Sequence, residues 1–508
     1  ENEPAIIDES GGAHVRMTFG EIELAAACVA ARLRESGLRP GDSVLVLQPM
    51  SADLYIALCA ILRLRLVAIF LDPSAGLRHI AACCAVHPPK AFIGSAKAHW
   101  LRLLSPALRR IPLKFCTGSP VFGARSLACN GRSTAQCEIE PCAAGTPAII
   151  RFTSGSTGAP KAAVRTHGFL LAQQRVLQRS ITLTRGEVDL TTLPMFGLAN
   201  LAAGVTTVIP SIDLRRPGAI DARLVVEQIQ RRGVTRTAGS PAFFEQLATF
   251  CERTNRKLEK LEKIYTGGAP VFPGLLRRLQ ILAPRADVVA VYGSTEAEPI
   301  AQVAFRGLLR SDLESTARGG GLVAGRPVEE IQARILRDEW GRPIGPFSRS
   351  SFDAQSLPPG EIGEIVVSGS HVLDGYLAGR GDAEIKFRVD GGVWHRTGDA
   401  GCFDREGRLW LAGRCAAKVV DSHGVLYPLA AEGAAREFPF VRHCALAGLN
   451  GCRVLAVEFA GRATSEHVNQ LREALAWAQL SEIRTLPIPV DRRHNAKIDY
   501  GELRKRLA

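Results

Sequence analysis

A chain of 508 residues exceeds what one hydrophobic core organises, so two or more domains are expected. An apolar share of 46% with 22% charged residues fits a globular enzyme. The net charge of +13 suits anionic ligands such as a nucleotide, an acyl carrier or a membrane surface, but the arginines are scattered and no nucleic-acid motif is present. Thirteen cysteines, spread from Cys28 to Cys452, include one adjacent pair, Cys83 and Cys84, and no C-x-x-C. That pattern fits neither a zinc site nor a disulfide framework, so most are expected as core fillers in a reducing, cytoplasmic compartment. The chain opens at Glu1 rather than Met, as a trimmed chain would, and shows no signal-peptide pattern. Its longest apolar run, residues 55–71, is broken by Arg63 and Arg65 and predicts no membrane span.

Residues 17–72 alternate two periodicities. Apolar residues at helical spacing fill 19–33, a turn follows at Arg39-Pro40-Gly41-Asp42, and 43–47 reads as a buried strand. A second helix is predicted over 52–64 and a strand over 67–71, with the next strand at 90–94. This alternation argues for a doubly wound α/β domain. Residues 117–146 read as loop, 190–194 as strand, and 306–321 and 337–360 as Gly-, Ser- and Pro-rich connections. Residues 361–368 alternate as a strand, which points to a β-rich subdomain closing the large domain.

The stretch Phe152-Thr153-Ser154-Gly155-Ser156-Thr157-Gly158-Ala159-Pro160-Lys161 follows the apolar Ala148, Ile149 and Ile150. It reads as a strand entering a loop in which backbone N–H groups and hydroxyls can crowd around a polyphosphate, with Lys161 adding a point charge. The Walker spacing G-x-x-x-x-G-K-[ST] is missing, and such a loop alone is a surface turn more often than a phosphate site. Three more patches follow downstream: Tyr292-Gly293-Ser294-Thr295-Glu296, then Arg396-Thr397-Gly398-Asp399 with Gly413-Arg414 behind it, and His494-Asn495-Ala496-Lys497-Ile498 near the end.

The order T-S-G-S-T-G-x-P-K, Y-G-x-T-E, R-T-G-D, G-R and a late lysine resembles the adenylate-forming superfamily of acyl-CoA synthetases, luciferases and peptide-synthetase adenylation domains, over nearly the whole chain. The resemblance implies an AMP-forming acid ligase with ATP and Mg²⁺ as cofactors. In that reading residues 153–158 and Lys161 hold phosphates, and Tyr292 offers a ring face to adenine, with Gly267, Gly268, Ala269 and Pro270 lying against the base. Gly293 and Ser294 belong to the same nucleotide site. Thr295 hydrogen-bonds the α-phosphate, and Glu296, with Thr157, is the expected Mg²⁺ ligand. Asp399 accepts the two ribose hydroxyls and Arg414 contacts ribose. Lys497 is the catalytic cation, bridging the substrate carboxylate and the α-phosphate.

The implied fold is α/β: a large N-terminal domain (1–413) with doubly wound sheets plus a β-rich subdomain, and a small mobile α+β cap (414–508) carrying Lys497. Residues around Arg414 and Ala416 would form the hinge. Residues 91–99, 206–217, 288–299, 393–396 and 489–497 resemble the olefin β-lactone synthetase group. This implies conversion of a long-chain β-hydroxy acid and ATP to a β-lactone, AMP and pyrophosphate. Ala416 stands where coenzyme A ligases carry an acidic hinge residue, and Lys418 and Gly424 are six apart rather than three, so residues 415–428 are remodelled. Ala162 replaces the usual glycine and is expected to narrow the phosphate loop, and Glu298 stands where an apolar residue is commoner. A fatty acyl-CoA or acyl-carrier-protein ligase remains the alternative, and a degenerate nucleotide-binding pseudoenzyme a third reading. Phe196, Gly197, Leu198, Phe243 and Phe244 are candidates for the acyl pocket, where small residues at Gly197 and Ala199 would leave room for a tail. The expected partners are a small carboxylic acid and other enzymes of a fatty-acid-derived pathway, with no nucleic acid.

Overall fold

The computed structural model describes the chain apart from residues 13, 73–74, 129–136, 155–159 and 492–496, and only the backbone of 153–154. The chain divides into two compact units, Glu1–Ile212 with Leu373–Asp382, and Asp213–Val372 with Ala383–Ala508.

In the first unit, seven strands among the described residues form one sheet in the order Arg125–Ser126, Leu113–Thr117, Ala91–Ser95, Ser43–Leu47, Val67–Phe70, Pro147–Ser154 and Pro160–Thr166. All neighbours are parallel except the last pair, a hairpin. The strand Ser43–Leu47 shows why both faces are covered. Val44 and Val46 pack with Val29, Leu33, Leu54 and Ile61 of the helices Phe19–Glu35 and Ala52–Arg63. Leu45 and Leu47, pointing the other way, pack with Ile80, Cys83 and Leu108 of helices on the opposite face. Successive strand residues face opposite sides, so a continuous apolar run demands cover on both. Thr18 starts the first helix with a capping box, its hydroxyl accepting from Glu21 N–H while the Glu21 carboxylate accepts from Thr18 N–H.

The second unit carries parallel strands Arg236–Gly239, Lys263–Gly267 and Asp287–Ser294, then an antiparallel run through Ala297–Ala304, Leu322–Pro327, Leu409–Arg414, Gly392–Phe403, Gly363–Gly369 and Ile331–Leu336. Its last stretch is α+β. The strands Val441–Leu449, Cys452–Phe459 and Glu482–Thr485 form a three-stranded sheet. Cys444 and Leu446 pack under the helices Pro428–Ala435 and Ser465–Ala474, while Ala445 and Ala447 pack under Leu503 and Leu507 of Tyr500–Leu507.

Four local expectations are corrected. The loop expected over 117–146 contains the short strand Arg125–Ser126, which pairs with Phe115 and Cys116. The polar connection 306–321 contains the helix Arg310–Ala317, stabilised because the Asp312 carboxylate accepts from Leu309 N–H at 2.8 Å and binds both terminal nitrogens of Arg408. The connection 337–360 contains Arg349–Gln355, capped by Ser348 and pinned by the buried Phe352 against Trp394. The strand expected at 190–194 is Val188–Thr191, and Pro194 instead opens the helix Pro194–Ala203, whose first turn needs no proline N–H. Among the described cysteines most are free, but Cys28 takes part in a disulfide. No helix among the described residues is long and apolar enough to cross a membrane.

Candidate active site

The second unit carries three sequence patches on two pairs of neighbouring strands in one sheet. Lys263–Gly267 runs beside Asp287–Ser294 so closely that a β-carbon on Gly267 would lie 2.5 Å from the Val291 carbonyl oxygen. Only glycine permits that approach. Gly268 follows with φ +82°, turning the chain towards Ala269 and Pro270. Asp287–Ser294 then folds back as a hairpin on Ala297–Ala304, pairing Ser294 with Ala297 and leaving Thr295 and Glu296 at the tip. The Ser294 hydroxyl accepts from the N–H groups of both Glu296 and Ala297, each at 3.2 Å. Ser294 therefore sets the turn that presents its two neighbours.

The strand Gly392–Phe403 carries Asp399 and pairs it with Arg414 of Leu409–Arg414. The register slips between Ala400 and Gly401, a bulge of the kind that re-aims side chains. Asp399 Oδ1 accepts from Arg414 at 2.8 Å, and Oδ2 accepts from the Tyr292 hydroxyl at 3.0 Å. Thr397 fixes the aspartate's backbone: its hydroxyl accepts from Asp399 N–H and donates to the Ile365 carbonyl. Burial, and then the Asp399 charge, push the Tyr292 phenol well above its usual range, so it stays a neutral donor. Asp399 likewise holds Arg414 above the ordinary guanidinium range. A carboxylate offers about four lone-pair directions. Tyr292 and Arg414 use two of them, which leaves acceptor capacity for a vicinal diol.

Arg396, the first residue of this motif, has a structural task. It is buried against the equally buried Glu364, stacks over Trp340 at 5.3 Å and donates to the Arg342 carbonyl. Gly398, at φ +67°, leaves the space that Trp340 fills. His395, one residue before Arg396 on the same strand, is buried as well, and the motifs gave it no role of its own. Burial pushes its imidazole down to about 3, with Lys386 adding to the effect and the Glu296 charge opposing it. A neutral ring donating to or accepting from its surroundings thus sits within the electrostatic reach of both Glu296 and Arg414.

Past Arg414 comes a short helical turn, Cys415–Ala417, then the hairpin Val419–Asp421 and Gly424–Leu426. Ala416 is exposed. The carboxylate that engages this remodelled stretch comes from Asp338, which binds Lys418 Nζ at 2.8 Å and accepts the Tyr427 hydroxyl at 2.8 Å. Asp421 is buried with Arg453, which further anchors the hairpin. Lys497 lies next to a bridge between Val490 and Ile498. Its N–H donates to Asp491 Oδ1 at 3.0 Å and its carbonyl accepts from Asp491 N–H at 2.8 Å. The side chain is exposed. Three residues on, the Tyr500 hydroxyl donates to the buried Glu432 carboxylate at 2.8 Å, and Leu446 N–H donates to the same oxygen. Burial pushes Glu432 up to about 7.

In the first unit, the backbone of Thr153 and Ser154 ends the strand Pro147–Ser154, opposite Lys161 and Pro160. Gly155, Ser156, Thr157 and Gly158 lie outside the described residues. The segment 373–382 returns onto this hairpin through a bridge between Tyr376 and Ala163. Gly381, at φ +100°, leaves room there for the Lys161 side chain, whose Cδ is 2.7 Å from where a β-carbon would stand. Ala162 is buried in the core of the sheet, so its methyl fills packing space. The acyl-pocket expectation needs correction at Gly197. A β-carbon there would fall 2.0 Å from the Tyr55 hydroxyl, which is itself held by the Pro194 carbonyl at 3.0 Å. Tyr55, not an open channel, occupies the missing side chain's volume. Phe243 and Phe244 are fully buried core residues packed edge to face.

Comparison with known proteins shows the family. The model of the family described as AMP-binding enzyme matches residues 1–377. The chain belongs to the AMP-binding enzyme family. It is 33% identical to an olefin beta-lactone synthetase of Stenotrophomonas maltophilia over 96% of its length and 91% of that protein. It is 32% identical to one from Xanthomonas campestris, over 96% and 90%. A feruloyl-CoA synthase from Amycolatopsis is 27% identical over 85% of this chain and 80% of that one. Among solved structures, the amide bond synthetase McbA from Marinactinospora thermotolerans matches with TM-score 0.81 and 22% identity, covering 100% of this chain and 97% of that one. An anthranilate CoA ligase, AuaEII, solved with anthranoyl-AMP, matches with TM-score 0.83 and 17% identity over 99% and 94%. The fold is that of adenylate-forming enzymes, a large α/β N-terminal domain followed by a smaller C-terminal domain. As a member of the family the protein is an AMP-forming ligase that uses ATP.

Proposed function

We propose that this ligase activates a long-chain β-hydroxy acid and closes it to a β-lactone. The observation that carries the reading is the near full-length identity of 33% and 32% with two olefin beta-lactone synthetases, above the 27% shared with a feruloyl-CoA synthase. In the first half-reaction a carboxylate oxygen attacks the α-phosphorus of ATP and pyrophosphate leaves. Asp399, with acceptor capacity left by Tyr292 and Arg414, takes the ribose hydroxyls. The Tyr292 ring, with residues 267–270, lies against adenine. Thr153, Ser154 and Lys161, together with residues 155–158, cradle the phosphates. Thr295 binds the α-phosphate, and Lys497 brings a cation to the two anions as they approach.

Among the described residues no three His, Cys, Asp or Glu side chains cluster as a metal site. Mg²⁺ on a nucleotide needs only one or two protein ligands beside phosphates and water. Glu296, presented at a hairpin tip, fits that demand, with Thr157 as the second ligand. Bound there, the ion would neutralise phosphate charge. In the second half-reaction the substrate's own hydroxyl oxygen attacks the activated carbonyl, AMP leaves and the hydroxyl proton is released. Holding nucleophile and electrophile in one molecule offsets part of the four-membered ring's strain. Residues 414–508 act as the cap, hinged near Arg414 and Ala416, and its closure shields the hydrolysable adenylate from water.

The deciding experiment incubates the protein with ATP, Mg²⁺ and a long-chain β-hydroxy acid, without a thiol. AMP and a product one water lighter than the acid are expected by mass spectrometry. AMP formed only with coenzyme A or an acyl-carrier protein, as a thioester, would replace the lactone reading with the acyl ligase one.

A further inference from the structure

The helix Ala96–Leu104 is built inside out on its solvent side. Ala98 and His99 face the core, where the His99 ring packs at a tilt against Phe92, centroids 4.7 Å apart, and its Nε2 pairs with the Phe115 carbonyl. The opposite face presents Trp100, Leu103 and Leu104 at 69%, 63% and 68% exposure. Positions i, i+3 and i+4 lie together on a helix, so these three form one apolar patch. Arg102 extends it. Its guanidinium donates to the Phe122 and Gly123 carbonyls at 2.7 and 3.1 Å, clamping a loop whose Phe122 side chain is 99% exposed. Scattered exposed leucines need no explanation, but a tryptophan and two leucines on one helix face, with an exposed phenylalanine on the loop tied to that helix, do.

The charge of the segment that carries the patch has one sign. Between Asp72 and Glu138 the sequence holds nine lysines and arginines and no carboxylate. One of these, Lys90, is paired with Asp42 at 2.8 Å. Lys97, Arg109 and Arg110 are exposed on or just beyond the helix, and Arg109 reaches the Leu103 carbonyl. Much of the excess positive charge of the chain is therefore concentrated in the segment that also exposes the aromatic and leucine side chains.

We propose that the outer face of Ala96–Leu104, with Phe122, is a docking surface for an anionic lipid bilayer. The side chains stand out from the surface instead of lining a groove, which suits insertion among headgroups better than capture of a peptide. Tryptophan and phenylalanine settle at the headgroup boundary, leucines enter the acyl region and arginines meet phosphates at the same depth. The attraction adds with each basic residue and weakens as salt screens it. One short helix and one loop tip give weak, reversible attachment. None of these residues belongs to the nucleotide site, so the proposal is independent of the product formed.

The test is co-sedimentation of the full chain with vesicles of equimolar phosphatidylglycerol and phosphatidylcholine, and with phosphatidylcholine alone. Wild-type protein is expected to pellet with the anionic vesicles, less so at high salt, and to leave the neutral ones unbound. The triple variant Trp100→Ser, Leu103→Ser, Leu104→Ser should bind anionic vesicles roughly tenfold more weakly while keeping pyrophosphate release and thermal midpoint, which shows it is folded. Arg109→Gln with Arg110→Gln should flatten the salt dependence. Equal sedimentation of the triple variant, no sedimentation of the wild type, or equal binding to neutral vesicles would each overturn the proposal. So would variant-sensitive binding to polyglutamate without vesicle binding, which would assign the face to an acidic polypeptide.

Discussion

Tyr292 and Asp399, 107 residues apart in sequence, meet in a 3.0 Å hydrogen bond in which the phenol donates. The contact fixes an aromatic ring relative to a carboxylate that also holds Arg414. Tyr292→Phe keeps the ring and loses the tether. Its KM for ATP is expected to rise about three- to tenfold, with kcat less affected, the size of one hydrogen bond. Steady-state pyrophosphate release measures it. An unchanged KM would mean the tether does not orient the nucleotide site.

Lys497→Ala should fold normally, because Lys497 is exposed and its hydrogen bonds to Asp491 are made by its backbone N–H and carbonyl, which alanine keeps. Adenylation should fall by about 10²–10³-fold, the usual loss for one preorganised charge-stabilising donor. ATP–pyrophosphate exchange measures this step alone. Full exchange activity would remove Lys497 from the first half-reaction.

Glu432 gives a pH prediction. Its carboxyl is raised from 4.5 to about 7 by burial, although Leu446 N–H and the Tyr500 hydroxyl oppose the shift. Between those two values the folded chain binds a proton that the unfolded chain has released. The stability contribution is therefore fully present below pH 4.5 and is lost as pH rises through 7. Glu432→Gln keeps an oxygen acceptor without the charge. It should raise stability at pH 8 by about 1–3 kcal/mol and change little at pH 4.5. Thermal midpoints of both proteins across this range test it, and a parallel shift at all pH values would contradict the burial argument.

Gly197 should tolerate no side chain. A β-carbon there would stand 2.0 Å from the Tyr55 hydroxyl, so Gly197→Ala is expected to cost about 1–3 kcal/mol through displacement of Tyr55. Tyr55→Phe in the same chain should recover part of that loss, because it removes the nearest atom in the way and leaves the ring carbon Cζ at 2.5 Å. Denaturant midpoints of the single and double variants read the coupling directly.

The alternating apolar patterns of residues 19–70 determined the doubly wound first unit, because a strand buried on both faces must carry an unbroken apolar run and its helices a stripe. The ordered motifs likewise marked Tyr292, Asp399 and Arg414 as belonging to one site. Tertiary structure decided what each motif residue touches. It made Arg396 a buried partner of Glu364, gave Ser294 the turn to hold and brought Asp338 to Lys418 across 80 residues. It also filled the space beside Gly197 with Tyr55 and turned Trp100 to solvent. Local spacing encodes periodicity and backbone freedom. Which charge meets which, and which apolar face stays uncovered, depends on chain segments that only folding brings together.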